Sequence, residues 1–134
     1  MRRVSSLLLV PALALAAPTP KVLSPTGVVG RQIELFNAHY LEGFLALFAE
    51  ELEVGEVPAG PTAPFGKAKL RDLYAERFKA NPDLHASAEA QMVAGDFVIQ
   101  KERIKGRMGK PPLEAVVIYQ VKAGKILRMW SLND

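Results

Sequence analysis

Glu56 ends a short extended run, residues 52–56, and precedes a stretch where Pro58, Gly60, Pro61 and Pro64 forbid regular structure. Loops of that kind often roof a pocket. A carboxylate set there beside apolar walls has its pKa raised, as a general base working near neutrality requires. On that reading Glu56 is a catalytic base; the plain alternative is an exposed loop glutamate. Tyr74 shares an apolar stripe with Leu70 and Phe78 on a predicted helix over 67–80. Its hydroxyl either completes the core or reaches a ligand. Glu102 and Glu114 stand in predicted strands and read as structural or surface charges.

Other chemistries find no footing. His39 and His85 are the only histidines, and neither has a second one at ligand spacing, so no metal site is expected. His39 stands near a predicted helix end, where a partial positive charge is favourable. His85 alternates with Ser87, Glu89 and Gln91 on a polar strand face. The chain has no cysteine, which removes disulfides, thiolate ligands, cysteine nucleophiles and a lipid-modified cysteine. There is no GxGxxG and no P-loop pattern, so no cofactor is implied. Lys101, Arg103, Lys105, Arg107 and Lys110 cluster around a predicted hairpin tip, where solvated charge is the usual reason. No aromatic residues interleave with them as a single-strand-binding surface requires, so no nucleic-acid partner is expected.

The elements that must position these residues fall in a simple order. With 134 residues, 49% hydrophobic and 23% charged, the chain suits one domain. Ser24-Pro25 is a helix start: a hydroxyl at the N-cap, then a proline whose missing N–H costs nothing in the first turn. Val28, Val29, Ile33, Phe36 and Tyr40 then recur at helical spacing. A second short helix is expected from about Leu41, burying Phe44, Leu45, Leu47 and Phe48. After the third helix, Asn81-Pro82-Asp83 is a stop. Extended runs follow at 84–93, 97–105, 113–122 and 125–132, with Gly95-Asp96 and Ala123-Gly124 as turns. Helices first and an antiparallel meander after them predict an α+β domain with a curved sheet around the helices.

The first residues read as an address. Arg2 and Arg3 supply a positive start, residues 4–17 are apolar, and Ala14-Leu15-Ala16 fits the small-x-small rule for cleavage, with Ala17 as the neighbouring alternative. The run is shorter than the roughly 20 residues of a spanning helix, and Pro11 interrupts it. Residues 1–17 are therefore expected to be a signal peptide, 18–26 a linker and 27–134 the domain; the alternative is an uncleaved N-terminal anchor. Export would place the protein in the periplasm or outside the cell, with no membrane contact after cleavage. The formal charge of +3 includes Arg2 and Arg3, so the cleaved chain carries only +1.

The order of elements and several local runs resemble the nuclear transport factor 2-like superfamily, in its SnoaL-like and ketosteroid isomerase-like branch. The resemblance lies in the run Arg31-Gln32-Ile33-Glu34-Leu35-Phe36-Asn37-Ala38 and in Phe44-Leu45-Ala46-Leu47-Phe48-Ala49-Glu50-Glu51. It continues through Glu53-Val54-Gly55-Glu56, Gly66-Lys67-Ala68-Lys69-Leu70 and Gly124-Lys125-Ile126, covering about residues 27–132. It implies three N-terminal helices packed on a curved antiparallel sheet, a cone-shaped cystatin-like roll around a pocket. It also implies an apolar small-molecule ligand and a homodimer. Ketosteroid isomerases remove a proton beside a carbonyl with an aspartate and steady the enolate with a tyrosine and a protonated aspartate. Those positions fall here on Glu56, on Gln32, and on or next to Val117, while a supporting tyrosine is matched by Tyr74. Val117 can donate no hydrogen bond, so steroid isomerisation in that family's manner is not expected. Matching the same strand puts Ala115, Val117 and Tyr119 on the pocket face. Trp130 is expected at the substrate too, although such residues also cover dimer faces in this fold. Isomerase-like acid/base chemistry on a hydrophobic carbonyl compound is thus implied; the alternative is a noncatalytic ligand-binding or dimerising accessory domain.

Overall fold

The computed structural model describes residues 22–58 and 60–133, the side chain of Asn133 excepted. The expected signal peptide and residues 18–21 of the linker lie outside the described residues. Ser24 caps α1 (Pro25–Asn37): its Oγ accepts the Gly27 N–H at 3.2 Å, and Pro25 takes the first helical position. The helix therefore begins inside the expected linker. Val28, Val29, Gln32, Leu35 and Phe36 form its buried stripe.

The exit of α1 is tied down by side chains. Asn37 donates from Nδ2 to the Ala86 carbonyl at 2.9 Å and accepts the Ala86 N–H on Oδ1 at 2.7 Å, standing in for one rung of a ladder. His39 takes a left-handed turn at φ 53. Its ring stacks on Phe78 at 4.8 Å and its Nε2 donates to the Leu84 carbonyl at 2.8 Å. The residue expected at the helix end thus caps α1, its N–H donating to the Phe36 carbonyl, and also joins the helix to the start of a strand 45 residues away in the chain.

The second helix, α2 (Leu41–Leu45), is one turn and buries Phe44 and Leu45. It stops short of the expected Phe48 because the sheet claims the rest of that apolar run. The Leu47 carbonyl accepts the Ile126 N–H at 2.8 Å, and Phe48 opens β1 (Phe48–Glu56) opposite Ile126. After β2 (Ala63–Pro64) comes α3 (Lys67–Ala80), then β3 (His85–Ala94), β4 (Phe97–Lys105), β5 (Leu113–Lys122) and β6 (Lys125–Asn133).

These strands form one curved, unclosed six-stranded sheet in the order β2-β1-β6-β5-β4-β3. Two expectations are corrected. The sheet is mixed, because β1 runs parallel to β6 while the other neighbours are antiparallel. The meander from β3 to β6 leaves β6 as the free edge, and β1 enters there running in the same direction. Also, only two helices precede the sheet; α3 comes after two strands. Register shifts at Ala88/Ala90, Gln120/Val121 and Phe48/Glu53 bend the strands, and such bends let a sheet wrap its helices. The rings of Phe36, Phe44, Phe48, Tyr74 and Phe78 fill one end of the enclosed space, with centroids 4.6 to 6.2 Å apart. No helix among the described residues is long and apolar enough to cross a membrane.

Candidate active site

Between α1, α3 and the inner face of the sheet lies a cavity of about 770 Å³. Its walls are mostly apolar, from Phe36 on α1, Leu70 on α3, Val54 on β1 and Val117 on β5. Polar groups enter it from Gln32, Tyr74, Glu102 and Tyr119. Strand alternation decides which β4 and β5 residues face inward. Glu102 stands opposite Ala115 and Gln100 opposite Val117, so these share the inner face with Val98 and Tyr119.

Glu102 is the centre of this group, only 5% exposed. Its Oε1 accepts the Tyr119 hydroxyl at 2.5 Å and the Gln100 Nε2–H at 3.0 Å. Gln100 is held in turn by Gln91, whose Nε2 donates to Gln100 Oε1 at 2.8 Å. A carboxyl oxygen has two lone pairs, and both donors fall on Oε1. When Glu102 is protonated, the proton therefore sits on Oε2, the oxygen with no protein hydrogen bond among the described residues. Burial pushes the Glu102 carboxyl above the usual carboxylate range, with the bonds from Tyr119 and Gln100 only partly opposing it. Burial also lifts the Tyr119 phenol well above its ordinary value, and the neighbouring Glu102 charge adds to this. Tyr119 thus remains a donor. Tyr74 is raised by burial as well, against the Arg77 guanidinium lying 4.9 Å over its ring.

Gln32 reaches the same cavity from α1, 6% exposed, and its Oε1 has no hydrogen-bond partner among the described residues. An acceptor left so costs about 1–3 kcal/mol. A ligand donor would satisfy it.

The residues named from sequence separate here. Gln32, Tyr74, Val117, Tyr119 and Glu56 all line the cavity, but Glu56 does so from an exposed position at the rim. Trp130 is a correction. Met129 and Ser131 line the cavity, so alternation turns Trp130 to the outer face, opposite Ile118 and Gly55 and 6.2 Å from the Phe97 ring. Glu102, expected among structural or surface charges, does not stand at the surface but is buried on the inner face. A signal for it was present in β4. Lys101, Arg103 and Lys105 occupy one parity, three cations in a row belong in solvent, and Glu102 is left on the other. Glu114 does sit on the outer face, 3.0 Å from both Lys101 and Arg103.

Residues 29–129 match the family model described as the SnoaL-like domain. The chain belongs to the SnoaL-like domain family. Among solved structures, this SnoaL-like domain is similar to a cystatin-fold protein from Novosphingobium aromaticivorans, at 20% identity and a TM-score of 0.72, covering 82% of this chain and 98% of that one. It is similar to a SnoaL-like polyketide cyclase from Agrobacterium tumefaciens, at 17% identity and a TM-score of 0.69, covering 84% and 92%. It is also similar to IdmH from Streptomyces antibioticus, at 22% identity and a TM-score of 0.66, covering 84% and 93%. At such identities the likeness is one of fold.

Proposed function

We propose that this SnoaL-like domain binds an apolar carbonyl compound in its cavity and transfers a proton next to the carbonyl. The observation that carries the reading is a buried carboxyl whose proton-bearing oxygen has no protein partner in an apolar cavity. Glu102 Oε2–H donates to the carbonyl oxygen, and Glu56 at the rim takes the proton from the adjacent carbon, giving an enol. Glu56 then returns its proton to a different carbon while Glu102 takes back the enol O–H proton, which completes an isomerisation and restores both carboxyls. Tyr119 and Gln100 are positioning residues that hold Glu102 in one orientation; Gln32 and Tyr74 offer further hydrogen bonds to the ligand. Polyketide cyclase relatives with this fold are consistent with such a ligand.

The test is a thermal-shift panel of hydrophobic ketones and enones against wild type, Glu102→Gln and Glu56→Gln. Several members should raise the melting temperature of all three proteins. Deuterium exchange at the carbon beside the carbonyl should occur with wild type alone. No shift with any compound overturns the pocket reading. Binding without exchange leaves a noncatalytic ligand-binding domain.

Two properties complete the reading. Residues 1–17 are proposed to be removed on export to the periplasm or medium, as their basic start, apolar run and small-residue end suggest. Mass spectrometry of the exported protein should find a new N-terminus after Ala16 or Ala17; an intact Met1 would refute cleavage. The outer sheet face is proposed to pair two copies, because Met92, Phe97 and Leu132 are 64%, 37% and 44% exposed there beside Trp130. Sedimentation should give a dimer that Trp130→Lys dissociates. A wild-type monomer at all concentrations rejects it.

A further inference from the structure

The described residues include six arginines, and four of them hold a carboxylate: Arg31 with Glu34, Arg71 with Glu42, Arg103 with Glu114 and Arg128 with Glu53. The two without such a partner among the described residues, Arg77 and Arg107, are the two that line the cavity. Lys110 joins them at its edge, likewise without an ion pair among the described residues. The carboxyls lining the same space are Glu102, on the inner sheet face, and Glu56, at the rim. Arg107 Nε is buried and has no acceptor among the described residues. A buried N–H left without an acceptor is costly unless something occupies it.

The segment carrying Arg107 and Lys110 is also built into place. Gly106, at φ 76, packs against the Asp83 backbone so closely that a Cβ would stand 2.0 Å from the Asp83 carbonyl oxygen. The Met108 N–H donates to Asn81 Oδ1 at 2.8 Å, joining the segment to the end of α3. Arg107 Nη2 donates to the Pro111 carbonyl at 2.7 Å, which orients the guanidinium and leaves Nε open. Arg77 is steadied by the Tyr74 ring beneath it.

We infer that the ligand is an amphipathic organic anion: an apolar body inside the cavity and a carboxylate held by Arg107 and Arg77, with Lys110 adding to the field. This rests on the proposed pocket reading and adds the ligand's charge to it. Guanidinium groups match carboxylate geometry in pairs of hydrogen bonds, and a cationic opening over low-dielectric walls draws anions in. A ligand spanning both ends presents its carbonyl toward Glu102 only when its anionic end is seated, so the cations also fix orientation.

The test compares 4-(2-naphthyl)-4-oxobutanoate with its methyl ester by isothermal titration calorimetry on the full-domain protein near neutral pH. Wild type should bind the acid at least about tenfold more tightly than the ester. In Arg77→Gln/Arg107→Gln that preference should fall to near unity with the ester's affinity unchanged, and Arg107→Lys should keep part of it. Raising salt to about 0.5 M should shrink the wild-type preference. Equal binding of acid and ester by wild type, tighter binding of the ester, or a preference untouched by the double substitution overturns the inference while leaving the pocket. Binding of neither compound overturns both.

Discussion

Glu102→Gln is expected to cut turnover of a carbonyl substrate by roughly 100- to 10,000-fold, the range for loss of a positioned general acid. The substitution is close to isosteric. Its amide oxygen can keep both hydrogen bonds that Oε1 now accepts from Tyr119 and Gln100. Oε2 becomes an NH2 group, which can still donate to a carbonyl but cannot give up its proton. Ligand affinity should therefore survive and the chemical step should not. Stability provides an independent readout, because burial raises the Glu102 carboxyl above its unfolded value. The folded protein then holds this proton more tightly than the unfolded chain does. The resulting stabilisation is complete below the ordinary carboxylate pKa and is lost as pH rises through the raised folded-state value. Glutamine has no proton to lose, so the variant should lack that decline. Melting temperatures measured between about pH 4 and 8 should show a flatter profile for Glu102→Gln, at or above wild type near neutrality. Preserved turnover together with an unchanged pH slope would remove Glu102 from the mechanism.

Local rules carried much of the fold and less of the site. Ser24-Pro25 marks the true start of α1 because capping is decided by neighbours in the chain. Tyr74 lies on the cavity side of α3 because helical spacing alone puts it beside Leu70 and Phe78. What escaped were facts set between segments. Phe48 leaves α2 because Ile126, far along the chain, pairs with it. The parallel joining of β1 to β6 likewise has no local signature. Trp130 is placed at the substrate by family likeness and not by parity, yet its neighbours Met129 and Ser131 are the ones that face the cavity, and a single step reverses which face a side chain occupies. The parity of β5 that the sequence implies does turn Val117 and Tyr119 inward. Carrying that parity across to β4 puts Glu102, opposite Ala115, on the same face. Glu102 was thus one strand pairing away from being legible.

Phe44→Ala should cost about 3–5 kcal/mol of folding stability, the usual range for emptying a buried aromatic site. Phe44 is 0% exposed, and it belongs to a helix of five residues with no side-chain cap. A helix so short has no stability of its own and holds its place by packing. Here the packing is the contact of one ring with Phe36, Phe48, Tyr74 and Phe78, the nearest being Tyr74 at 4.6 Å. Its loss leaves a void that neighbouring strands and α3 cannot close without moving Tyr74, so the cavity wall loosens as the core does. Domains of this kind hold only about 5–15 kcal/mol in total, and the variant should lie close to the unfolding threshold. Urea denaturation gives the measurement, with Phe97→Ala as the comparison. Phe97 is 37% exposed on the outer sheet face, and at protein concentrations too low for two copies to pair, trimming it should cost about 1 kcal/mol or less. Ligand-induced thermal shifts should shrink in Phe44→Ala and persist in Phe97→Ala, because only the first ring supports a wall of the site. Similar losses from the two substitutions would mean that the aromatic cluster does not hold α2 against α3.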